Sequence, residues 1–200
     1  SGFGQVIGQE AMALGIERAK AHGSCIVALG NSHHLGRIGA WAEQAAAAGV
    51  ASIEHGFDMT DADLLLAKKN GVALVGTEFL ANGDTTAYHR QWVDRLRRAY
   101  KAGVLLVYGT DAIDFKPGIT RGQDAITGID PWVEAGVPAP AILRAMTTNG
   151  TRLLGVDDVR GTLKVGQYAD LIATPDNPLT NILTLKQVSF VMQNGKVVER

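Results

Sequence analysis

One cysteine in 200 residues leaves Cys25 without a partner inside the chain. An internal disulfide and a cysteine-based zinc knuckle are both excluded, and a reducing, cytoplasmic setting is the expectation. Long apolar runs are missing as well. Stretches such as residues 104–108 fall far short of the ~20 residues that a membrane span needs. No charged and apolar leader opens the sequence, so export is not expected. Nor does either sign of charge dominate: 19 Lys and Arg against 20 Asp and Glu leave a formal net charge of −1. That balance gives no electrostatic reason to expect nucleic acid or an anionic membrane as partner. The chain opens at Ser1 rather than at a methionine, which suggests a fragment or a processed chain. What is present, 46% hydrophobic and 20% charged residues, suits a globular chain of one domain, or one and a small appendage.

One pattern recurs along the chain. A helix ends in small residues or Lys, a glycine follows, then an apolar strand, then polar residues. The glycines are Gly23, Gly49, Gly71 and Gly103, and the strands after them fall near 25–29, 50–53, 72–75 and 104–108. Glycine just past a helix takes the left-handed conformation that closes the last turn. The strands are continuously apolar rather than alternating, as parallel strands buried on both faces are. The expected class is therefore α/β with a parallel sheet, open or barrel-shaped.

The intervening helices are readable in part. Residues 6–21 place Val6, Ala11, Met12, Leu14, Ile16 and Ala19 near one stripe. Thr60 and Asp63 form a capping box for a helix reaching Lys69. A helix over 86–101 carries Arg90, Arg95, Arg97 and Arg98, read as a solvated face, with His89 exposed among them. Pro138 and Pro140 mark a helix start, where a missing N–H costs little. From Gly161 onward the texture turns to short strands at 169–173, 188–192 and 196–199, the last two joined by Asn194-Gly195, a strong hairpin signal. This tail predicts a small β appendage.

In parallel α/β architectures, ligands meet the carboxyl ends of the strands. The residues that follow the four strands are Asn31-Ser32-His33-His34, Glu54-His55, Thr77-Glu78 and Thr110-Asp111. Histidines and carboxylates would gather on one rim, and these are the ligands that a catalytic Zn²⁺ or similar divalent ion takes. Bound metal lowers the pKa of water from ~15.7 to about 7, and a nearby carboxylate can take the proton. Hydrolysis of an amide, ester or ring in a small-molecule substrate is the chemistry so predicted. Structural alternatives stand beside it: Asp111 as a cap, 31–34 as a turn and N-cap, and Glu78 as a solvated side chain. His22, at a helix C-terminus where a cationic ring suits the macrodipole, is assigned no chemistry.

Residues 49–200 resemble the C-terminal part of metal-dependent amidohydrolases, in the branch of imidazolonepropionase-like and prolidase-like enzymes. The phrases that carry the resemblance are Ala-Gly-Val-Ala-Ser-Ile-Glu-His-Gly (48–56), Val-Tyr-Gly-Thr-Asp-Ala (107–112), Ile-Leu-Arg-Ala-Met-Thr-Thr-Asn-Gly (142–150), Gly-Thr-Leu-Lys-Val-Gly-Gln-Tyr-Ala-Asp-Leu (161–171) and Val-Met-Gln-Asn-Gly-Lys-Val-Val (191–198). The resemblance implies part of a (β/α)₈ barrel with a small β-sandwich. It implies His55 as the metal ligand after barrel strand six, and Asp111 after strand eight as both ligand and general acid/base. Zn²⁺ is the implied cofactor. The family's His-X-His after strand one and its strand-four lysine have no counterpart here. His34, or its neighbour His33, lies one barrel unit before His55 and is the candidate for the strand-five ligand. Of the substrate-contacting loops, residues 115–121 after Asp111 remain.

Residues 1–48 resemble a different family, the malate/L-lactate dehydrogenases with their own non-Rossmann NAD(P) fold. The likeness is carried by Gly4-Gln5-Val6-Ile7-Gly8, Val-Ala-Leu-Gly-Asn-Ser-His-His-Leu-Gly (27–36) and Ala-Trp-Ala-Glu-Gln-Ala-Ala (40–46). It implies His34 as a catalytic acid/base for hydride transfer to a 2-oxo acid. The sequence thus reads as a chimera joined near Ala48-Gly49: a dehydrogenase-like segment (1–48), an amidohydrolase-like half-barrel (49–160) and a β-sandwich remnant (161–200). Two alternatives to a metal-dependent hydrolase follow. One is an NAD(P)-dependent oxidoreductase fragment. The other is an inactive, incomplete barrel that associates into a homo-oligomer through unpaired sheet edges.

Overall fold

The recurring glycines do what their position demands. Gly23, Gly49, Gly71 and Gly103 all take positive φ, between 69° and 84°. At Gly71 and Gly103 the backbone N–H turns back onto carbonyls of the preceding turn, Ala67 and Lys68 in one case and Ala99 and Tyr100 in the other. Each helix is thereby stopped and the chain is released directly into a strand.

The structure, a computed structural model, describes residues 4–23, 25, 27, 44, 47–78, 86–111 and 117–198. His33 and His34, most of the strand expected near 25–29, and residues 112–116 of the loop after Asp111 lie outside the described residues. The described chain begins with helix α1 (Gly4–His22). An α/β run follows: β1 (Ser52–Glu54), α2 (Asp61–Asn70), β2 (Ala73–Gly76), α3 (Ala87–Ala102) and β3 (Leu106–Tyr108). The three strands form a parallel sheet in the order β1-β2-β3, with Ile53, Leu74 and Leu106 in register across it. All four residues of β2 are buried, which explains why that strand reads as unbroken apolar sequence. Helices α2 and α3 are the crossovers that parallel pairing requires.

Both crossover helices are set by their ends. The Thr60 hydroxyl accepts from the Asp63 N–H at 3.3 Å, while the Asp63 carboxylate accepts from the Thr60 N–H at 2.6 Å, so the expected capping box is complete. Thr86 caps α3 through the N–H of His89. The core below the sheet gathers Leu64 from α2, Leu74 from β2 and Leu96 from α3, with Trp132 and Ile142 from the helices that follow. Those helices are α4 (Arg121–Thr127), α5 (Ile129–Glu134), α6 (Ala139–Met146) and α7 (Thr148–Leu153). Pro138 stands at the N-cap of α6 and Pro140 inside its first turn.

The tail is a second, antiparallel sheet: β4 (Leu171–Ala173), β5 (Phe190–Gln193) and β6 (Lys196–Val197), in that order. Between β4 and β5 runs a 3₁₀ segment, Ile182–Gln187. Asn194 and Gly195 both take positive φ, 56° and 78°, as the two-residue hairpin turn requires. No helix among the described residues is long and apolar enough to cross a membrane.

Four expectations need correction. The stripe on α1 is not a buried face, since Val6 and Leu14 are both exposed. Arg95 does not belong to a solvated arginine face: its side chain and that of Glu78 are each 0% exposed and form an ion pair. Glu78, read as solvated, is thus the counter-ion of a buried guanidinium. His89 is buried too, its Nε2 lying 2.6 Å from Glu134 Oε2. The solvated reading holds for Arg97 and Arg98. Arg98 bridges Asp94 on its own helix and Asp61 on α2, so it ties the two crossovers together at the surface.

Candidate functional site

Parallel strands in register deliver their last residues to one rim. His55 follows β1, Thr77 follows β2, and Gly109-Thr110-Asp111 follow β3. The ladder runs one step past β3, where the Gly109 N–H donates to Gly76 O at 2.7 Å. His55 and Asp111 both stand in the left-handed region, with φ of 63° and 44°. A residue with a Cβ visits that region at a cost of about 1–3 kcal/mol and stays only where its surroundings hold it. The two strained positions are the two residues that face each other across the rim. His55 Nε2 lies 3.9 Å from Asp111 Oδ2, and the side chains are 45% and 42% exposed, open to a ligand arriving from solvent. The other ring nitrogen, Nδ1, lies 2.7 Å from Thr77 Oγ1.

What lies beneath the rim holds it in place. Phe57, two residues after His55, stacks on Trp92 of α3 at 4.8 Å and sits 5.5 Å from the imidazole. The Arg95 guanidinium lies 5.2 Å from the Phe57 ring centroid on the way to Glu78. Burial, and then the nearby Arg98 charge, pull the Arg95 pKa down to about 9, which leaves it cationic at neutral pH. Glu78 folds back beneath its own strand, so that a Cβ on Gly76 would lie 2.6 Å from Glu78 Oε2 and 2.7 Å from Trp132. Gly109 is held bare for a similar reason: a Cβ there would meet Val75 Cγ1 at 2.7 Å and Thr77 Cγ2 at 3.2 Å. Behind Asp111, Tyr108 donates its hydroxyl to Ala125 O at 2.7 Å. Burial, and then the charge of Asp130, raise the Tyr108 pKa above the ordinary tyrosine range.

Of the residues singled out from sequence, the rim brings His55 and Asp111 together. It buries Glu78 away from them, and His34 and His33 lie outside the described residues. One imidazole nitrogen and one carboxylate oxygen are donors of the kind that a divalent ion takes, and at 3.9 Å they stand about 0.6 Å farther apart than the ~3.3 Å of two ligands on one tetrahedral centre. Among the described residues no group of three His, Cys, Asp or Glu side chains could hold a metal ion. A catalytic site with three protein ligands would draw the third from elsewhere.

Two residues that matter to the rim were passed over in the sequence. Thr77 stood in the strand-end set without a role, although a hydroxyl one residue past a strand has few places to point except the rim. Arg95 lay three residues after Trp92 and four before Ala99, on their side of the helix. That period of three and four marks a buried stripe, and a charge on it is a signal of a buried partner.

Comparison with known proteins gives two likenesses. The family model described as the amidohydrolase family matches residues 9–198. Among solved structures, a Xaa-Pro dipeptidase with methionine bound in its active site is 29% identical, with a TM-score of 0.73, over 96% of this chain and 49% of that one. The ochratoxinase of Aspergillus niger is 28% identical, with a TM-score of 0.63, over 79% of this chain and 39% of its own. The second likeness is to dehydrogenases. Hydroxycarboxylate dehydrogenase B of Escherichia coli is 71% identical over 51 residues, 26% of this chain and 14% of the enzyme. The malate dehydrogenase of Pyrococcus abyssi is 36% identical over 134 residues, 62% of this chain and 36% of that enzyme. The chain spans at most about half the length of any of these proteins.

Proposed function

The chain belongs to the amidohydrolase family, and from that premise we propose that its rim is the metal-binding half of a site that hydrolyses C–N bonds of amide type in small molecules. The observation that supports this most directly is His55 Nε2 facing Asp111 Oδ2 at 3.9 Å on the rim of a parallel sheet. His55 Nε2 and Asp111 Oδ2 would hold the ion, with Zn²⁺ the ion best suited to one imidazole and one carboxylate. His34 is the proposed third donor, from its spacing one helix–strand unit before His55. A bound ion supplies the positive charge that acidifies water and polarises a carbonyl. Asp111 would accept a proton from the attacking water and pass it to the leaving nitrogen, and His55 would help to hold the ion.

In this reading β1, β2 and β3 are part of a (β/α)₈ barrel. The chain divides into a dehydrogenase-like segment (1–48), a half-barrel (49–160) and a β appendage (161–200), and it works in the cytoplasm. The chain spans about half of the dipeptidase it resembles. The edges of its described sheet, β1 and β3, are therefore where a second copy would pair. The 71% identity to a dehydrogenase over 51 residues supports a second reading. In it, His34 is a remnant acid/base of hydride transfer, and a saturable change in NADH fluorescence on titration is the expected result.

Calorimetric titration with Zn²⁺, paired with thermal melts, tests the principal reading. At free metal a hundred times the dissociation constant, the folded state gains about 2.7 kcal/mol, and the melting temperature rises accordingly. His55→Ala and Asp111→Asn each abolish the shift, and His34→Ala weakens it. Binding that survives both rim substitutions, or no binding by the unsubstituted chain, overturns the site. Unchanged affinity in His34→Ala removes only the third donor.

A further inference from the structure

We propose that Thr77 is the positioning residue for His55: its hydroxyl accepts a hydrogen bond from the Nδ1–H and so keeps the imidazole in the tautomer whose bare Nε2 faces Asp111. The inference rests on the reading of His55 as a ligand through Nε2.

A neutral imidazole carries one proton, and the hydrogen bond made by one nitrogen decides what the other can do. The two nitrogens of His55 stand in unlike surroundings. Nε2 lies on the open side, 3.9 Å from Asp111 Oδ2, which is beyond hydrogen-bond reach. A proton on Nε2 would gain no bond from that carboxylate. Nδ1 lies on the closed side, 2.7 Å from a hydroxyl on a residue that is only 4% exposed. A protonated Nδ1 finds its acceptor in Thr77 Oγ1 at 2.7 Å, and the opposite arrangement, the hydroxyl donating to a bare Nδ1, is the outcome that nitrogen-15 NMR of the ring separates from it.

The hydroxyl is itself held. Its residue follows directly on the buried strand β2. Its methyl lies against the bare backbone of Gly109, where an added Cβ would come within 3.2 Å of Thr77 Cγ2. Thr77 is β-branched, and its χ1 is stiff for that reason. With the methyl lodged against Gly109, the hydroxyl is left on the His55 side. The His55 backbone stands in the left-handed region at φ 63°, and Thr77 supplies a hydrogen bond to the ring. Strand, glycine and threonine together therefore set which nitrogen is presented to an incoming ion.

The test is nitrogen-15 NMR of the His55 ring on metal-free protein at a pH where the ring is neutral. The unsubstituted chain, Thr77→Ser and Thr77→Val are compared. Valine keeps the shape and branching but loses the hydroxyl, and serine keeps the hydroxyl. The expected pattern is a protonated Nδ1 in the unsubstituted chain and in Thr77→Ser, with the proton moved to Nε2 in Thr77→Val. Zn²⁺ affinity should fall by roughly 10- to 100-fold in Thr77→Val, as for other residues that orient a ligand, and recover in Thr77→Ser. A proton on Nε2 in the unsubstituted chain overturns the proposal without any variant being needed. So does a Thr77→Val chain that binds Zn²⁺ as tightly as the unsubstituted one. The expected tautomers with no Zn²⁺ binding in any chain would sink the metal reading and leave the orienting role standing.

Discussion

Replacing Arg95 with methionine should be among the most destabilising single changes available in this chain. The Arg95 and Glu78 side chains are both fully buried and meet as an ion pair beneath the rim. Methionine matches the length of the arginine stem and keeps contact with Phe57, so the substitution removes the charge with little loss of packing. What remains is the Glu78 carboxylate, enclosed by Gly76, Trp132 and the end of β2, with no counter-ion. Removing one partner of a buried pair costs about 3–5 kcal/mol, because the other charge is left uncompensated. The whole stability of a domain is only about 5–15 kcal/mol. Loss of the guanidinium over Phe57 adds about 0.5–2 kcal/mol.

The reasoning is specific about the cause, and a cycle exposes it. Glu78→Leu alone leaves Arg95 buried and unpaired and should cost as much. The double variant, Glu78→Leu with Arg95→Met, leaves no charge behind and should regain most of the loss, since apolar replacements of buried pairs are often neutral or better. The assay is urea denaturation followed by the fluorescence of Trp92 and Trp132, which sit beside Phe57 and within the core. Midpoints should move while slopes hold, the mark of a change in stability alone. If Arg95→Met costs less than about 1 kcal/mol, or the double variant is no better than the worse single one, the pair is not what holds α3 under the rim.

Two further outcomes follow from the same region. Above the ordinary tyrosine pKa of ~10 the unfolded chain gives up the Tyr108 phenol proton while the folded chain, whose pKa is raised, keeps it. The folded state then binds more protons, so stability is full below pH ~10 and falls above it by up to about 1.4 kcal/mol per pH unit. Denaturation of the unsubstituted chain and of Tyr108→Phe between pH 8 and 11 should show the difference closing as pH rises, since Arg95 titrates equally in both. Gly109→Ala should cost about 1–3 kcal/mol by overpacking, because its Cβ would stand 2.7 Å from Val75 Cγ1 and press on Thr77. A shift of the Thr77 and His55 NMR signals should accompany the lowered urea midpoint.

Local grammar made much of the fold legible. Gly71 and Gly103 end helices as their sequence context says, Thr60 and Asp63 begin one, and Asn194-Gly195 turns a hairpin. Each of these is decided within four or five residues. The strand edges drifted by one or two residues, with β5 beginning at Phe190 rather than at 188, because pairing partners and not composition decide where a ladder starts. What could not be read was every decision made at long range. Arg95 looked like its neighbours Arg97 and Arg98 until Glu78, on the preceding strand end, was placed against it. His89 looked exposed until Glu134 came to it from 45 residues away. The rim itself was half legible. Strand ends in a parallel sheet must converge, so His55 and Asp111 could be named together. The role of Thr77 depended on which nitrogen of His55 it would meet, and that is a matter of angstroms.

The double likeness of the chain has a physical reading. A helix closed by a left-handed glycine and released into a strand is the unit seen at Gly71 and Gly103, and Gly49, at φ 79°, takes the same conformation. Under the proposed division, dehydrogenase-like sequence would precede Gly49 and amidohydrolase-like sequence would follow it, and a left-handed glycine at the join would leave the local geometry undisturbed. The strand that follows, β1, pairs with β2 through contacts made wholly after the join. The described residues of the rim, His55, Thr77, Gly109 and Asp111, and those beneath it, Phe57, Glu78, Trp92 and Arg95, also lie after Gly49. The geometry that orients His55 against Asp111 therefore lies wholly after Gly49. What the first quarter can add is a further donor through His34, and the metal titration of His34→Ala measures that contribution separately from the rim.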